Sequence, residues 1–364
     1  MASQPAPPEE PGVDTVYVGL RQQLKTKPQD FACWTQLLAH VEKMADASVI
    51  EECFDLFFET YPLCYGYWKK YADLQGKLVS VAAAKTVYER GVGAVALSVD
   101  MWLYYLQFAI ASLPAPEVET VVQRAEIAVG SHPQAHPLWE RILEYFKSNS
   151  HQHVDKLIQA YLRCLKQPLI KGEELLEAFK VVVAHTSPTE YFTPVWDFEY
   201  AQSAYKAATL DGETEARRNF CLHKGRRLWE DAQQVLQPRR ALEAALGRPY
   251  FHVKPLTSRD ILSWCHYLDF EEGEHARLTS SPPTSVSESE RSECTRRVFR
   301  LYERCLIPCA SVVSMWERYA DWLAREVSPA QARLQWDRAF HPYLRHLPLA
   351  YCARAEWEES LQQQ

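Results

Sequence analysis

Apolar residues return along this chain with a helical period, and a tryptophan repeatedly opens the pattern. Trp34 is followed by Leu37, Leu38 and Val41, Trp102 by Tyr105, Leu106 and Ala109, and Trp139 by Ile142, Leu143 and Phe146. Trp316 leads Tyr319, Ala320 and Leu323, and Trp68 begins the same way with Tyr71 and Ala72. Residues at these offsets share one face of a helix. Each segment is predicted to be the first helix, A, of a repeating unit. Second stripes predict the helices B: Ile50, Cys53, Phe54, Phe57 and Phe58; Val87, Tyr88 and Gly91; Val118, Val121, Val122 and Ala125; Val154, Leu157, Ile158, Tyr161 and Leu162. Pro62, Gly76, Pro114, Pro116, Pro133 and Pro168 punctuate these runs, and a proline ends one helix or sits in the first turn of the next.

Trp34, Trp68 and Trp102 are spaced 34 residues apart, and Trp139 follows 37 later. A period of this length marks stacked helical hairpins, each burying its apolar face against its neighbours. The predicted fold is all-α: a right-handed superhelical solenoid of antiparallel helix pairs, in two arrays joined by a helical connector. Residues 14–186 are assigned to the N-terminal array, 187–256 to the connector and 257–364 to the C-terminal array. Residues 1–13, rich in Pro and Glu, are predicted to be disordered.

In the connector, Ser187-Pro188-Thr189-Glu190 reads as a capping box for a helix with Tyr191, Val195, Phe198 and Tyr200. A charged segment from Glu213 to about Leu246 follows, interrupted at Pro238, and Arg248 to Leu256, with two prolines, is predicted to be extended. Thr257 to Asp260 should cap the helix carrying Trp264, Tyr267 and Leu268. Trp264 and Trp316 lie 52 residues apart, and the polar run 279–290 accounts for the excess as a predicted disordered insertion.

Composition agrees with helices. Only 12 of 364 residues are glycine while aromatics make up 12%, which suits long helices and short turns. The net charge of −7 gives no global basic footprint for nucleic acid. Ten cysteines include no C-x-x-C pair, and Cys33, Cys53, Cys164, Cys265 and Cys305 sit within apolar stripes, as reduced fillers do. The first twelve residues lack the basic and apolar regions of a secretory signal, and no apolar run is long enough to span a membrane.

Candidate chemistry is sparse. His132 with His136, and His151 with His153, lack the further ligands that close a zinc site, and Cys305 with Cys309 supply only two thiols. Glu271, Glu272 and Glu274 read as a polar helix end rather than an acid–base pair. No phosphate loop, nucleophile elbow or His-Glu-x-x-His motif occurs. The chain is therefore read as a non-enzyme without cofactor or metal. Two basic segments remain: Arg217, Arg218, Lys224, Arg226 and Arg227 with Phe220 and Trp229 interleaved, and the run from Arg291 to Arg304 with Arg296, Arg297 and Arg300. Such clusters track a phosphate backbone, meet an acidic protein segment, or pair with carboxylates one turn away. The sequence leaves these three open.

Helix B also carries a signature in phase with the tryptophans: Tyr88-Glu89-Arg90-Gly91, Tyr302-Glu303-Arg304-Cys305 and Trp336-Asp337-Arg338-Ala339. Its Glu or Arg is expected to bond a neighbouring helix and fix the angle between repeats, a role suited to the planar fork of arginine. With Trp-x-x-Tyr in helix A, the signature resembles the half-a-TPR (HAT) repeat of RNA-processing assemblies. The segments Trp68-Lys69-Lys70-Tyr71-Ala72-Asp73-Leu74 and Arg248 to Leu256 are similar to HAT-repeat splicing factors associated with the U1 small nuclear ribonucleoprotein.

That resemblance implies a nuclear, non-catalytic scaffold in pre-mRNA splicing, acting at 5′ splice-site recognition. The implied partners are U1 particle proteins and other splicing factors, with RNA contacted weakly or indirectly. Two rival readings stay open: a HAT scaffold of another RNA-processing complex, and a direct RNA-binding protein using 217–227 and 291–304. In that family later repeats serve dimerisation, and these are expected to be missing here. The segment Leu349 to Leu361, with Tyr351, Cys352, Ala355 and Trp357, is expected to be an unpaired helix A that needs a partner or self-associates. The alternative is that it packs on the helix around Leu334 and Trp336.

Overall fold

A computed structural model describes residues 14–148, 154–186, 210–282 and 287–362. Every regular element among them is helical. Aspartates open the first three helices: Asp14, Asp30 and Asp46 accept backbone N–H groups at the starts of α1 (Thr15–Thr26), α2 (Phe31–Met44) and α3 (Ala47–Thr60). A side-chain acceptor at this position satisfies an N–H that has no partner within the helix. There follow α4 (Tyr65–Leu78), α5 (Val81–Ala94), α6 (Val99–Ser112), α7 (Ala115–Val129), α8 (His136–Ser148), α9 (Val154–Leu165) and α10 (Gly172–His185). Later in the chain lie α11 (Leu210–Leu236), α12 (Arg240–Ala245), α13 (Ser258–Ser280), α14 (Glu288–Cys305), α15 (Val313–Glu326), α16 (Pro329–Arg338) and α17 (Pro348–Gln362).

The predicted packing aromatics are all buried: Trp34, Trp68, Trp102, Trp139, Trp264 and Trp316, with Tyr71, Tyr105, Tyr267 and Tyr319. A buried indole N–H needs an acceptor, and the repeats supply one in register. Trp34 Nε1 donates to the Pro28 carbonyl at 2.7 Å, Trp68 to Pro62 at 2.8 Å and Trp102 to Ala96 at 2.8 Å, each six residues upstream. Trp139 reaches Gly130 at 2.9 Å. The tryptophan thus ties helix A to the turn that precedes it. Between α3 and α4, Phe58 stacks on Trp68 with centroids 3.5 Å apart, and Phe54 stacks on Tyr71 at 4.9 Å. The period also appears on the surface. Lys156 pairs with Glu119 and Arg163 with Glu126, both linking α9 to α7 across 37 residues.

The chain forms two compact units, residues up to Glu89 with those from Trp316 onward, and Arg90–Met315. In the first, α3 touches a π-helical turn at Ala339–Leu344 that kinks at His341 beside Pro342. In the second, α6 packs on both α7 and α8, α9 on α8 and α10, and α13 along α14. Contact of one helix A with its own B and with the next A is the stacking of an α-solenoid.

Three features correct or extend the sequence expectations. The two ends of the polar run 279–290 belong to helices: Thr279 and Ser280 end α13, and Ser287 with Glu290 forms a capping box that starts α14. Hydroxyl and carboxylate side chains there bond helix ends, as in the bond from Thr279 to the His275 carbonyl. Only 283–286 of that run lie outside the described residues.

The charged connector segment is helical, as expected, and packs on the preceding array. Cys221, Gly225, Ala232 and Leu236 make a buried stripe that lays α11 on α9 and α10.

The last helix is not unpaired. Trp357 is buried, its ring 6.4 Å from Trp336, while Arg333 bonds Glu358 and Arg354 bonds Asp337. Its buried stripe is Ala350, Ala353 and Trp357, so Tyr351, Cys352 and Ala355 face solvent. The packing face is rotated from the predicted one because tryptophan, the largest apolar surface, sets it. Residues 1–13, 187–209, His151 and His153 lie outside the described residues.

Candidate interaction surface and the ion pairs beneath it

Arg304 of the Tyr-Glu-Arg signature is the centre of a buried cluster. From α14 it donates Nη1 to Glu243 Oε1 at 2.8 Å and Nη2 to Oε2 at 2.9 Å. Tyr267 of α13 donates its hydroxyl to the same Glu243 Oε1 at 2.9 Å. The Trp264 ring lies beneath the guanidinium, 6.0 Å from its carbon. Glu243 is 2% exposed, and a carboxylate that deep must be paired or neutral. Burial pushes its pKa up, but the Arg304 charge and the Arg304 and Tyr267 hydrogen bonds outweigh it, and the net shift is downward. Burial and the neighbouring Glu243 carboxylate drive the Tyr267 phenol upward.

A second pair lies beside it. Arg239, in the short 3₁₀ turn Gln237–Arg239, donates Nε to Glu271 Oε1 at 2.5 Å and Nη2 to Oε2 at 3.0 Å. Its Nη1 donates to the Val235 carbonyl at 2.6 Å, and its guanidinium rides 5.2 Å over Phe270. Glu272 accepts from the Tyr302 hydroxyl. The expectation that Glu271 and Glu272 form a polar helix end before a loop is therefore corrected: the helix runs on to Ser280. Glu271 is 2% exposed, because α14 and the turn at Arg239 cover α13 with matching cations. These bidentate pairs fix α12, α13 and α14 against one another.

The other signature arginines act differently. Arg338 lies over the Trp316 ring at 5.2 Å, and Arg90 is exposed on α5. Glu243 and Arg239 carry no motif and would not be singled out from sequence. Only the recurrence of Tyr-Glu-Arg pointed to Arg304.

The two basic segments sit on different helix interfaces, α11 against α9 and α10, and α14 along α13. Much of their charge is internally engaged. Arg218 pairs with Glu215 at 3.1 Å, Arg226 with Glu230 at 2.9 Å, and Arg296 with Glu293. Arg297 lies 3.7 Å from Glu271. Arg300 donates to Ser131 Oγ and, at 2.8 Å, to the Ile127 carbonyl, closing the C-terminal turn of α7. Arg217 and Lys224 are half-buried on α11, and Arg227 is exposed with no ion-pair partner among the described residues. Next to the Arg300 contact, His132 is desolvated and feels the Arg304 charge, and both lower its pKa well below the usual histidine value.

No group of three or more His, Cys, Asp or Glu among the described residues is arranged to hold a metal. No helix described is long and apolar enough to cross a membrane. Seven of the ten cysteines are buried, Cys305 and Cys309 among them, while Cys265 is half-buried.

Comparison with known proteins places this architecture. A model of the PRP39 N-terminal HAT repeat matches residues 19–181, and one of the PRP39 C-terminal HAT repeat matches 237–364. Pre-mRNA-processing factor 39 of Xenopus laevis is 29% identical over 365 residues, covering 93% of this chain and 54% of that protein. The Homo sapiens protein of the same name is 28% identical, with 92% and 52% covered. That of Schizosaccharomyces pombe is 28% identical, with 86% and 52% covered. The chain spans about half the length of the curated relatives it matches. With the repeat tryptophans, the Tyr-Glu-Arg signature and both repeat models in place, the chain belongs to the pre-mRNA-processing factor 39 family of HAT-repeat proteins.

Proposed function

We propose that this chain is a non-catalytic scaffold in nuclear pre-mRNA splicing that docks proteins of the U1 particle during 5′ splice-site recognition. The observation that carries the reading is the match to both PRP39 repeat models over most of the chain. The names of the relatives give pre-mRNA processing, and the U1 association follows from the resemblance in the tryptophan and connector segments. The side chains fit a docking role. Rigid helix pairs hold their charges in fixed pairs, and seven of the eight candidate contact residues, all but Arg227, are half-buried or ion-paired. This supports protein docking over direct RNA binding, since a phosphate-tracking surface needs free cations along a path.

Tagged chain should retain U1 RNA and U1 proteins from nuclear extract. Recovery of another RNA-processing complex without U1 components would replace this reading. A labelled RNA that binds directly, with affinity falling steeply as salt rises, would favour the RNA-binding alternative.

A further inference from the structure

The turn between α1 and α2 meets the turn before α17 around a cavity of 730 Å³, lined by Lys27, Pro28, Gln29, Asp30, Arg345 and His346. Three of its backbone acceptors are already used: the Pro28 carbonyl takes the Trp34 indole, the Gln29 carbonyl the Tyr61 hydroxyl, and the Arg345 carbonyl the Tyr351 hydroxyl. Asp30 Oδ1 caps α2 through the Cys33 N–H, and its Oδ2 accepts from Gln23.

Its two cationic side chains are not used. The Lys27 ammonium and the Arg345 guanidinium have no acidic partner among the described residues. Elsewhere exposed arginines such as Arg163, Arg226 and Arg333 each hold a carboxylate. In a chain of net charge −7, two free cations converging on one cavity stand out.

We propose that this cavity binds an acidic peptide segment of a partner protein, with carboxylates received by Lys27 and Arg345. A planar guanidinium takes a carboxylate through two parallel bonds, and lysine adds a point charge. His346 lines the same space, its pKa lowered by burial and the adjacent Arg345 charge, and Pro28 adds an apolar part to the lining. The volume is that of a pocket for a few side chains. RNA is disfavoured because no Phe, Tyr or Trp ring lines the cavity to give successive bases a stacking platform. The site stands independently of the splicing assignment.

The test is fluorescence anisotropy of the whole chain with a labelled peptide alternating glutamate and serine. Its controls are the same peptide with glutamine for glutamate and a labelled oligouridylate. The glutamate peptide should bind, and Lys27→Glu with Arg345→Glu should weaken it by about tenfold or more. Arg227→Glu, on another helix, should change affinity by less than about twofold. The residues changed are exposed, so circular dichroism should be unaltered, and Lys27→Gln with Arg345→Gln gives a milder loss if the reversal unfolds the chain. Equal binding of the glutamine peptide, unchanged affinity in the folded double variant, or displacement of the peptide by oligouridylate would overturn the proposal.

Discussion

Arg304 and Glu243, 61 residues apart in sequence, share two hydrogen bonds of 2.8 and 2.9 Å, with the carboxylate fully buried. The pair is stabilising only while both members are present, since a lone buried charge is costly. Glu243→Gln should strand the Arg304 charge and destabilise the chain by about 3–5 kcal/mol. Arg304→Lys should recover little of the loss, because an ammonium cannot reproduce the fork. Urea unfolding of both variants checks this. Equal stability of Arg304→Lys and the parent chain would contradict the geometric role given to arginine.

The indole bond of the repeat separates volume from hydrogen bonding. Trp68→Ala removes a ring stacked on Phe58 and should cost about 3–5 kcal/mol. Trp68→Phe keeps much of the ring but leaves the Pro62 carbonyl without its donor, at about 1–3 kcal/mol. Hydrogen exchange should show the loss reaching α3 as well as α4, because repeats are coupled to their neighbours. Loosening confined to α4 would count against stacked packing.

Gly225 is required by a close approach. A Cβ there would lie 2.3 Å from Phe179 Cε1, so α11 could not rest on α10 as it does. Gly225→Ala should destabilise by about 1–3 kcal/mol through overpacking, although alanine is the better helix former. Pairing it with Phe179→Leu should restore part of the loss. A stabilised Gly225→Ala chain would show that α11 is not seated on α10.

Acid should weaken the fold in two steps. His132 has a folded pKa below its ordinary 6.5, so the unfolded chain takes up its proton first. Stability therefore falls as pH drops below about 6.5. Glu243 has a folded pKa below its ordinary 4.5. Its contribution is complete above that value and is lost as pH falls through the folded one. Urea midpoints measured from pH 7.5 to 3.5 should decline over both ranges, and His132→Asn should flatten only the upper one. An unchanged upper step in that variant would remove His132 as its cause.

Local chemistry made much of the molecule legible in the sequence. The Trp34, Trp102, Trp139 and Trp316 stripes name the buried faces, because a helix fixes which offsets share a side. Thr257 with Asp260 marked the start of α13, since a capping box needs only residues within one turn. The in-phase arginine at 304 was visible, and so were the basic segments. Their engagement was not. Whether Arg300 meets a partner or closes α7 at Ile127 depends on a segment far away in sequence.

The period of the repeats and the buried faces of the Trp34, Trp102, Trp139 and Trp316 helices were thus determined by the sequence alone, because they follow from helix geometry over a few residues. Tertiary structure decided what long-range contact controls. It buried Glu271 under Arg239, turned Trp357 onto Trp336, seated Gly225 against Phe179, and brought Lys27 and Arg345 to one cavity. Each outcome depends on which distant side chain arrives to balance a charge or fill a space, and no local pattern encodes that arrival.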